Sequence, residues 1–353
     1  MRVFLTGCCG FLGASLAENL LRRFSGLEIT GIDNFSRSGS ELNRGRLTRL
    51  GCRVRHGDIR LAEDLADIPA VDWIIDCAAL PSVLAGVDGG AAQLVGNNLV
   101  GTLNLLEKCR RERAGLIIIS TSRVYSIAAL SDLPLVRKGD RFEVETGREL
   151  PVGFGPAGVA ESFSTTPPIS LYGATKLASE QMALEYGYTF GFPVRVNRCG
   201  VIAGPGQFGR IDQGIFSYWV YQWLRKRPLA YIGYGGEGLQ VRDFIAPDDL
   251  ASLVALELEQ PAAPAPPVIN VGGGRERSMS LRELSMFCRD TTTIDHPVTS
   301  VAETRRFDVP YYVTDSAVAT RSWGWSPQEP AAHTLEAIVR WGRDHLADLD
   351  RFG

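Results

Sequence analysis

The chain has 353 residues, 45% of them hydrophobic and 22% charged, with a formal net charge of -3. This composition supports a sizeable apolar core in one large domain or two ordinary ones, and excludes both intrinsic disorder and a basic nucleic-acid footprint. No apolar run reaches the ~18 residues of a membrane span, and the glycines at 7, 10 and 13 with the early Glu18 argue against a secretory signal.

In chain order, Arg2–Thr6 is an apolar strand candidate, and Phe11–Arg23 follows with Leu12, Leu16, Leu20 and Leu21 on one helical face. Glu28–Asp33, Arg53–His56 and Asp72–Ala78 are predicted strands, Ala91–Arg111 a long helix and Gly115–Ser120 a further buried strand. Strands apolar on both faces and separated by helices imply a parallel α/β sheet covered on both sides, doubly wound in the Rossmann manner. Residues 126–168 carry Pro134, Pro151, Pro156, Pro167 and Pro168 and read as an irregular insertion or lid. Leu171–Tyr188 is predicted helical and Val194–Arg198 a strand, which sets residues 1–200 as a dinucleotide-binding domain. Residues 201–353 read as a smaller mixed lobe with some elements returning to the main domain. Its predicted helices are Gly214–Arg225, Pro247–Glu259, Leu281–Arg289 and Ala331–Leu346, and its strands Leu239–Ile245 and Val268–Val271.

Seven cysteines, Cys8 and Cys9 adjacent and the rest scattered, show no metal-ligand spacing. With only four histidines, no zinc site is expected. The cysteines read as small buried groups in a reducing, cytoplasmic setting.

Gly7-Cys8-Cys9-Gly10-Phe11-Leu12-Gly13 joins the first strand to the first helix. Its glycines suit a tight turn, a close approach to a pyrophosphate at the helix N-terminus and close helix–sheet packing. The spacing is GxxGxxG rather than GxGxxG, and alone it is a weak signal. Asp33 ends the next strand, where a carboxylate can accept bonds from a ribose diol and repel a 2′-phosphate, so NAD is expected over NADP. Arg37 lies close by and could instead serve a 2′-phosphate.

Tyr172 and Lys176 are four residues apart, on one helix face. A phenol is a poor base at neutral pH, but an ammonium and an oxidised nicotinamide beside it would stabilise the phenolate. The same pair could be a surface contact on an amphipathic helix. Lysine is scarce here, at positions 108, 138, 176 and 226 only, and the dinucleotide loop gives Lys176 a reason to be present. Ser120-Thr121-Ser122 ends a predicted strand, where a hydroxyl would face the ligand crevice.

Together Gly7–Gly13, Asp33-Asn34, His56-Gly57-Asp58-Ile59, Asn98-Leu99-Val100-Gly101-Thr102, Ser120–Tyr125 and Tyr172–Lys176 resemble the extended short-chain dehydrogenase/reductases, in the NAD-dependent epimerase/dehydratase group. The resemblance covers nearly the whole chain. Asp212-Gln213-Gly214, Gln240-Val241-Arg242-Asp243, Asn270-Val271-Gly272-Gly273 and Trp325-Ser326-Pro327 resemble the C-terminal motifs of the CDP-paratose (CDP-tyvelose) 2-epimerases.

The resemblance implies that Thr121, Tyr172 and Lys176 are catalytic. Gly7, Gly10, Phe11, Leu12, Gly13, Asp33, Asn34, Ser36, Arg37, Asp58, Ile59, Ala78, Ala79 and Asn97 (or Asn98) would bind NAD, with Tyr172 and Lys176. Ser122, Arg123, Arg198, Gln213 and Arg242 would bind substrate, a CDP- or UDP-hexose, with Arg242 on the diphosphate. Dimers built from two helices per subunit are common in the family, here Ala91–Arg111 and Leu171–Tyr188. No membrane or nucleic-acid partner is expected.

Dehydratases of the family carry acids just after the hydroxyl residue, and decarboxylating relatives carry a glutamate where Arg123 stands. Ser122 and Arg123 therefore point to epimerisation, at C2 or C4 of the sugar, with a lyase or net oxidoreductase and a non-catalytic NAD-binding regulator as the alternatives. Tyr125-Ser126 in place of Tyr-Gly, Asp76 in place of histidine and Val201 in place of asparagine imply an altered sugar pocket.

Overall fold

The computed structural model describes residues 1–353 apart from positions 88 and 146. Seven strands form the central sheet: β1 (Arg2–Thr6), β2 (Glu28–Asp33), β3 (Arg53–His56), β4 (Trp73–Asp76), β5 (Gly115–Thr121), β6 (Val194–Cys199) and β7 (Val268–Val271). Their order is β7-β6-β5-β4-β1-β2-β3, and every pairing is parallel. The order reverses beside β1, so the C-terminal ends of β1 and β4 mark the switch point where such sheets open a ligand crevice.

Helix α1 (Phe11–Arg23) packs with Pro247–Glu259 on one face, over a core of Val3, Leu5, Leu16, Leu20, Ile75, Ile117 and Leu253. On the other face, Gly101–Glu112 and α2 (Ser170–Phe190) cover Phe4, Ile74, Leu116, Ile118 and Val196. Alternate residues of each strand thus enter opposite cores, which is why the strands read as unbroken apolar runs.

Most predicted bounds stand within two residues. The strand expected over Asp72–Ala78 stops at Asp76, because the Thr6 hydroxyl takes the N–H groups of Cys77 and Ala78 at 3.1 Å. The long helix is Ala91–Val95 and Gly101–Glu112 joined by a π-turn, Gly96–Val100, that presents Asn97 to the cleft and buries Asn98. A helix at Glu41–Arg49 was not legible, since Leu47 alone among its residues is buried and it has no apolar stripe.

Residues 201–353 add a second sheet, in which Val241–Ile245 pairs with Val201–Ile202, Ser278–Ser280 and Tyr311–Tyr312. Leu229–Ile232 pairs separately with Val298–Val301. Helices Ile215–Leu224, Leu281–Thr292 and Ala331–Asp344 close a core around Phe216, Trp219 and Ile338. The segment 126–168 forms a short helix and two small hairpins packed on Tyr311 and Val313. None of its described residues lines the cleft described below, so it buttresses the site from behind and does not cover it.

Glu257, on the helix packed against α1, is fully buried, with Oε2 accepting from Asn197 at 2.9 Å and Oε1 unpartnered among the described residues. Burial pushes its carboxyl up to about 7. The folded state therefore binds this proton more tightly than the unfolded chain does. Its contribution favours folding below the ordinary carboxylate range and is lost as pH rises towards 7. Glu257→Gln is expected to gain about 2–3 kcal/mol over the parent at pH 8 relative to pH 5. Urea unfolding at the two pH values checks this, and a pH-independent difference would refute it.

Candidate active site

The C-terminal strand ends and the second lobe enclose a cleft of about 430 Å³. Gly7, Gly10, Phe11, Leu12 and Gly13 form one end of its wall. Gly7 has φ +58, and a Cβ on Gly13 would sit 2.2 Å from the Gly7 carbonyl oxygen, so the loop requires glycine at both positions. The first turn of α1 has no side-chain cap, which leaves backbone donors for an anion. Asp33 accepts from the N–H groups of Cys9 at 2.9 Å and Phe35 at 2.8 Å. A carboxylate with one bond on each oxygen keeps lone pairs for a diol. Arg37 donates to Gln213, so a side chain from the second lobe already occupies the cation that a 2′-phosphate would need. These features fit NAD.

Asn34, Ser36, Ile59, Ala78, Ala79 and Asn97 also line the cleft. Asn98, the alternative to Asn97, is buried and holds Leu80 N–H at 2.8 Å and Thr175 at 3.1 Å, so it shapes the wall from behind. Asp76 accepts from Thr6 at 2.7 Å and Thr102 at 3.1 Å and fixes the cleft floor. Asp58 differs from expectation: it is not among the lining residues, and its carboxylate is paired with Arg60 at 2.7 Å and takes Asn34 Nδ2 at 3.1 Å. The hydrogen bond from Arg60 holds it down to about 2. Asp58 thus orients Asn34 from outside the wall.

Thr121, Ser122, Arg123 and Tyr172 line the cleft where the turn after β5 meets α2. The chain turns after β5 in a single 3-10 turn in which Arg123 N–H donates to Thr121 Oγ1 at 3.2 Å. This turn abuts α2 so closely that a Cβ on Gly173 would lie 2.2 Å from the Arg123 carbonyl oxygen. Tyr172 is pushed up to about 12, first by burial, while its hydrogen bond with Thr121 and the Arg123 charge pull the other way. The expected lowering by Lys176 is not seen in the protein alone. Lys176 is buried one helical turn past the tyrosine, with its charge felt at Cys77 and Cys199 of the cleft wall and no hydrogen bond to its ammonium among the described residues.

Gln213, bonded to Arg37, and Arg242, near Arg123, also line the cleft. Arg242 is held by Asp308 at 2.8 Å and by the carbonyls of Val241 and Val309, not by Asp243. Arg198 lies elsewhere. It is 6% exposed, outside the cleft, and paired with Glu180 at 2.7 Å, so its charge is spent on a buried partner and not on a ligand anion. Arg305, Arg306, Phe307 and Asp308 were not singled out from the sequence, yet they form the wall facing Arg123. An arginine pair between a threonine and an aspartate was the available signal, with nothing to place it.

Residues 3–272 match the NAD dependent epimerase/dehydratase family. The chain is 30% identical to a CDP-paratose 2-epimerase of Salmonella typhi, over 97% of this chain and 99% of that one. Among solved structures it is similar to a dTDP-glucose 4,6-dehydratase of Streptomyces venezuelae with NAD bound (TM-score 0.80, 26% identity, all of both chains). It is also similar to a UDP-glucuronic acid 4-epimerase of Bacillus cereus with UDP-glucuronic acid and NAD (TM-score 0.77, 25% identity, 98% of this chain and 99% of that one).

Proposed function

The chain belongs to the NAD-dependent epimerase/dehydratase family, and from that premise we propose that it inverts one carbinol centre of a nucleotide sugar by transient oxidation to the ketone. The observation that carries this reading is that Thr121 and Tyr172 line one cleft with a glycine loop built for a dinucleotide, with Lys176 buried one helical turn past the tyrosine. Bound NAD supplies the hydride acceptor and, once reduced, the donor. Tyr172 Oη takes the proton of the reacting hydroxyl and returns it after the sugar has presented its other face. Thr121 Oγ1 steadies the phenol and the sugar oxygen, and Lys176 stabilises the phenolate through charge. Arg242, fixed by Asp308, holds the diphosphate.

Elimination needs a further acid. Among the described residues, the carboxylates lining the cleft are Asp33, Asp212 and Asp308, and each is engaged, by backbone N–H groups, by Ser82 and by Arg242 respectively. That supports epimerisation over loss of water. The carbon is C2 by likeness to the Salmonella typhi enzyme, and C4 by likeness to the Bacillus cereus one.

Proton NMR of the as-purified protein in D2O, without added cofactor, tests the reading against CDP-paratose, UDP-glucose and UDP-glucuronate. The expected result is an epimer with no deuterium at carbon. Deuterium at carbon, a dehydrated product or stoichiometric NADH would overturn it.

We further propose a cytoplasmic homodimer. No helix of the described residues is long and apolar enough to cross a membrane. Val95, Val100, Leu171, Met182 and Phe190 on or beside the two expected interface helices are 37–44% exposed, an apolar surface suited to a second copy. Light scattering is expected to give twice 38.5 kDa, and Val100→Glu with Met182→Glu to give the monomer. A monomeric parent protein refutes the proposal.

A further inference from the structure

Three arginines of low exposure each have a carboxylate or several carbonyl acceptors. Arg198 has Glu180, Arg242 has Asp308 and two carbonyls, and Arg195 reaches three carbonyl oxygens. Arg123 is different. It is half-buried on the cleft wall, forms no ion pair among the described residues, and has a single long hydrogen bond from its guanidinium, to Phe307 O at 3.4 Å. Burial and the neighbouring Arg242 charge lower its pKa to about 10. A guanidinium carries five N–H donors in a planar fork, so most of this fork is unspent in a confined site.

Its position matters as much as its charge. Arg123 is two residues past Thr121, its backbone abuts the turn holding Tyr172, and the Arg123 and Tyr172 charges act on each other. The fork therefore belongs to the sugar end of the cleft, where the reacting carbon must lie. Among the described residues, the surrounding wall holds Arg123, Arg242, Arg305 and Arg306 with two carboxylates, Asp308 on Arg242 and Asp212 accepting from Ser82. No carboxylate of the described wall is bonded to Arg123, and a diphosphate held by Arg242 would leave the Arg123 fork open, so one further negative group is called for.

We propose that Arg123 recognises a carboxylate on the sugar ring, and that the substrate is a nucleotide-linked hexuronate in preference to a neutral hexose. The proposal rests on the nucleotide-sugar reading above and deepens it. A carboxylate matches the fork in two parallel N–H···O bonds, and binding there would pin the ring while Tyr172 works on a neighbouring carbon.

The test is equilibrium binding to the NAD-loaded holoenzyme in the Tyr172→Phe background, so that it does not depend on turnover. UDP-glucuronate, UDP-glucose and UDP are the probes. UDP-glucuronate is expected to bind at least tenfold tighter than UDP-glucose. Arg123→Met should erase that preference, a loss on the order of a hundredfold for the acid, while UDP itself binds as before. Arg123→Lys should restore part of the preference, and unchanged NAD content shows that each variant is folded. No preference for the acid, including failure to bind it, overturns the proposal. So does an equal loss for UDP in Arg123→Met, which would make the residue a diphosphate ligand. Preferential binding of the acid with no epimer in the NMR experiment would sink the epimerase reading and leave the Arg123 assignment standing.

Discussion

Tyr172→Phe is expected to lower kcat by about a thousandfold, within the range that a positioned acid/base contributes, and to leave NAD bound. The ring is buried, so phenylalanine fills the same space, and only the hydroxyl and its bond with Thr121 are lost. With a phenol at about 12, roughly one tyrosine in 10⁵ would be ionised at pH 7. The protein alone therefore does not hold a working base. Two positive charges would make one once NAD is bound, the ammonium of Lys176 one helical turn away and an oxidised nicotinamide, since a cation close to the phenol favours the phenolate. The base form is the deprotonated one, so kcat/KM should rise with pH through the pKa of the NAD-loaded enzyme. Lys176→Met should move that rise to higher pH. Stopped turnover with NAD retained, measured by absorbance of the denatured supernatant, supports the role. Full activity in Tyr172→Phe would refute it, and an unmoved pH profile in Lys176→Met would remove the lysine from the account.

The sheet was legible because its strands are buried on both faces, and such strands announce themselves as apolar runs whatever surrounds them. Arg2–Thr6, Glu28–Asp33 and Val268–Val271 lie where the pattern puts them, as does the edge strand Arg53–His56, although none of its residues is buried. The glycine loop was legible for a related reason, since its constraint is steric and local. The second lobe was harder. Its strand Tyr311–Tyr312 has two residues and exists only because Val241–Ile245 offers it an edge. The wall from Arg305 to Asp308 has no regular structure to predict, and its importance comes from facing Arg123 across a gap of more than 180 positions in sequence. Charged residues were the least legible of all, because a sequence shows the charge and hides the partner. Asp58 and Arg198 were both expected at ligands, and each proves to be matched within the protein, by Arg60 and by Glu180.

Arg198 gives that lesson a measurable consequence. Glu180 is fully buried, and its carboxylate is shared between Arg198, at 2.7 Å and 3.0 Å, and the hydroxyl of Ser120. Burial works against the guanidinium, but the Glu180 hydrogen bond and charge outweigh it and raise its pKa above the ordinary arginine value. Arg198 also lies over the Tyr125 ring, whose hydroxyl donates to Asn270 at 2.5 Å, and Asn270 in turn donates to Val159 O at 2.9 Å. One ion pair thus joins β5, β6, β7, α2 and the 126–168 segment. Arg198→Met leaves a carboxylate stranded in the core, a change that costs about 3–5 kcal/mol. The double variant Arg198→Met with Glu180→Met removes both charges and should recover most of that stability, because a buried pair replaced by apolar side chains is often neutral. Activity should not recover with it. Ser120 precedes Thr121, and Glu180 follows Lys176 by one helical turn, so the pair sets the spacing between the hydroxyl and the lysine. Urea unfolding of the single and double variants, beside kcat and KM for each, separates the two effects. A single variant as stable as the parent protein would refute the buried-charge argument, and a double variant with parental kcat would show that the pair holds the fold without positioning the site.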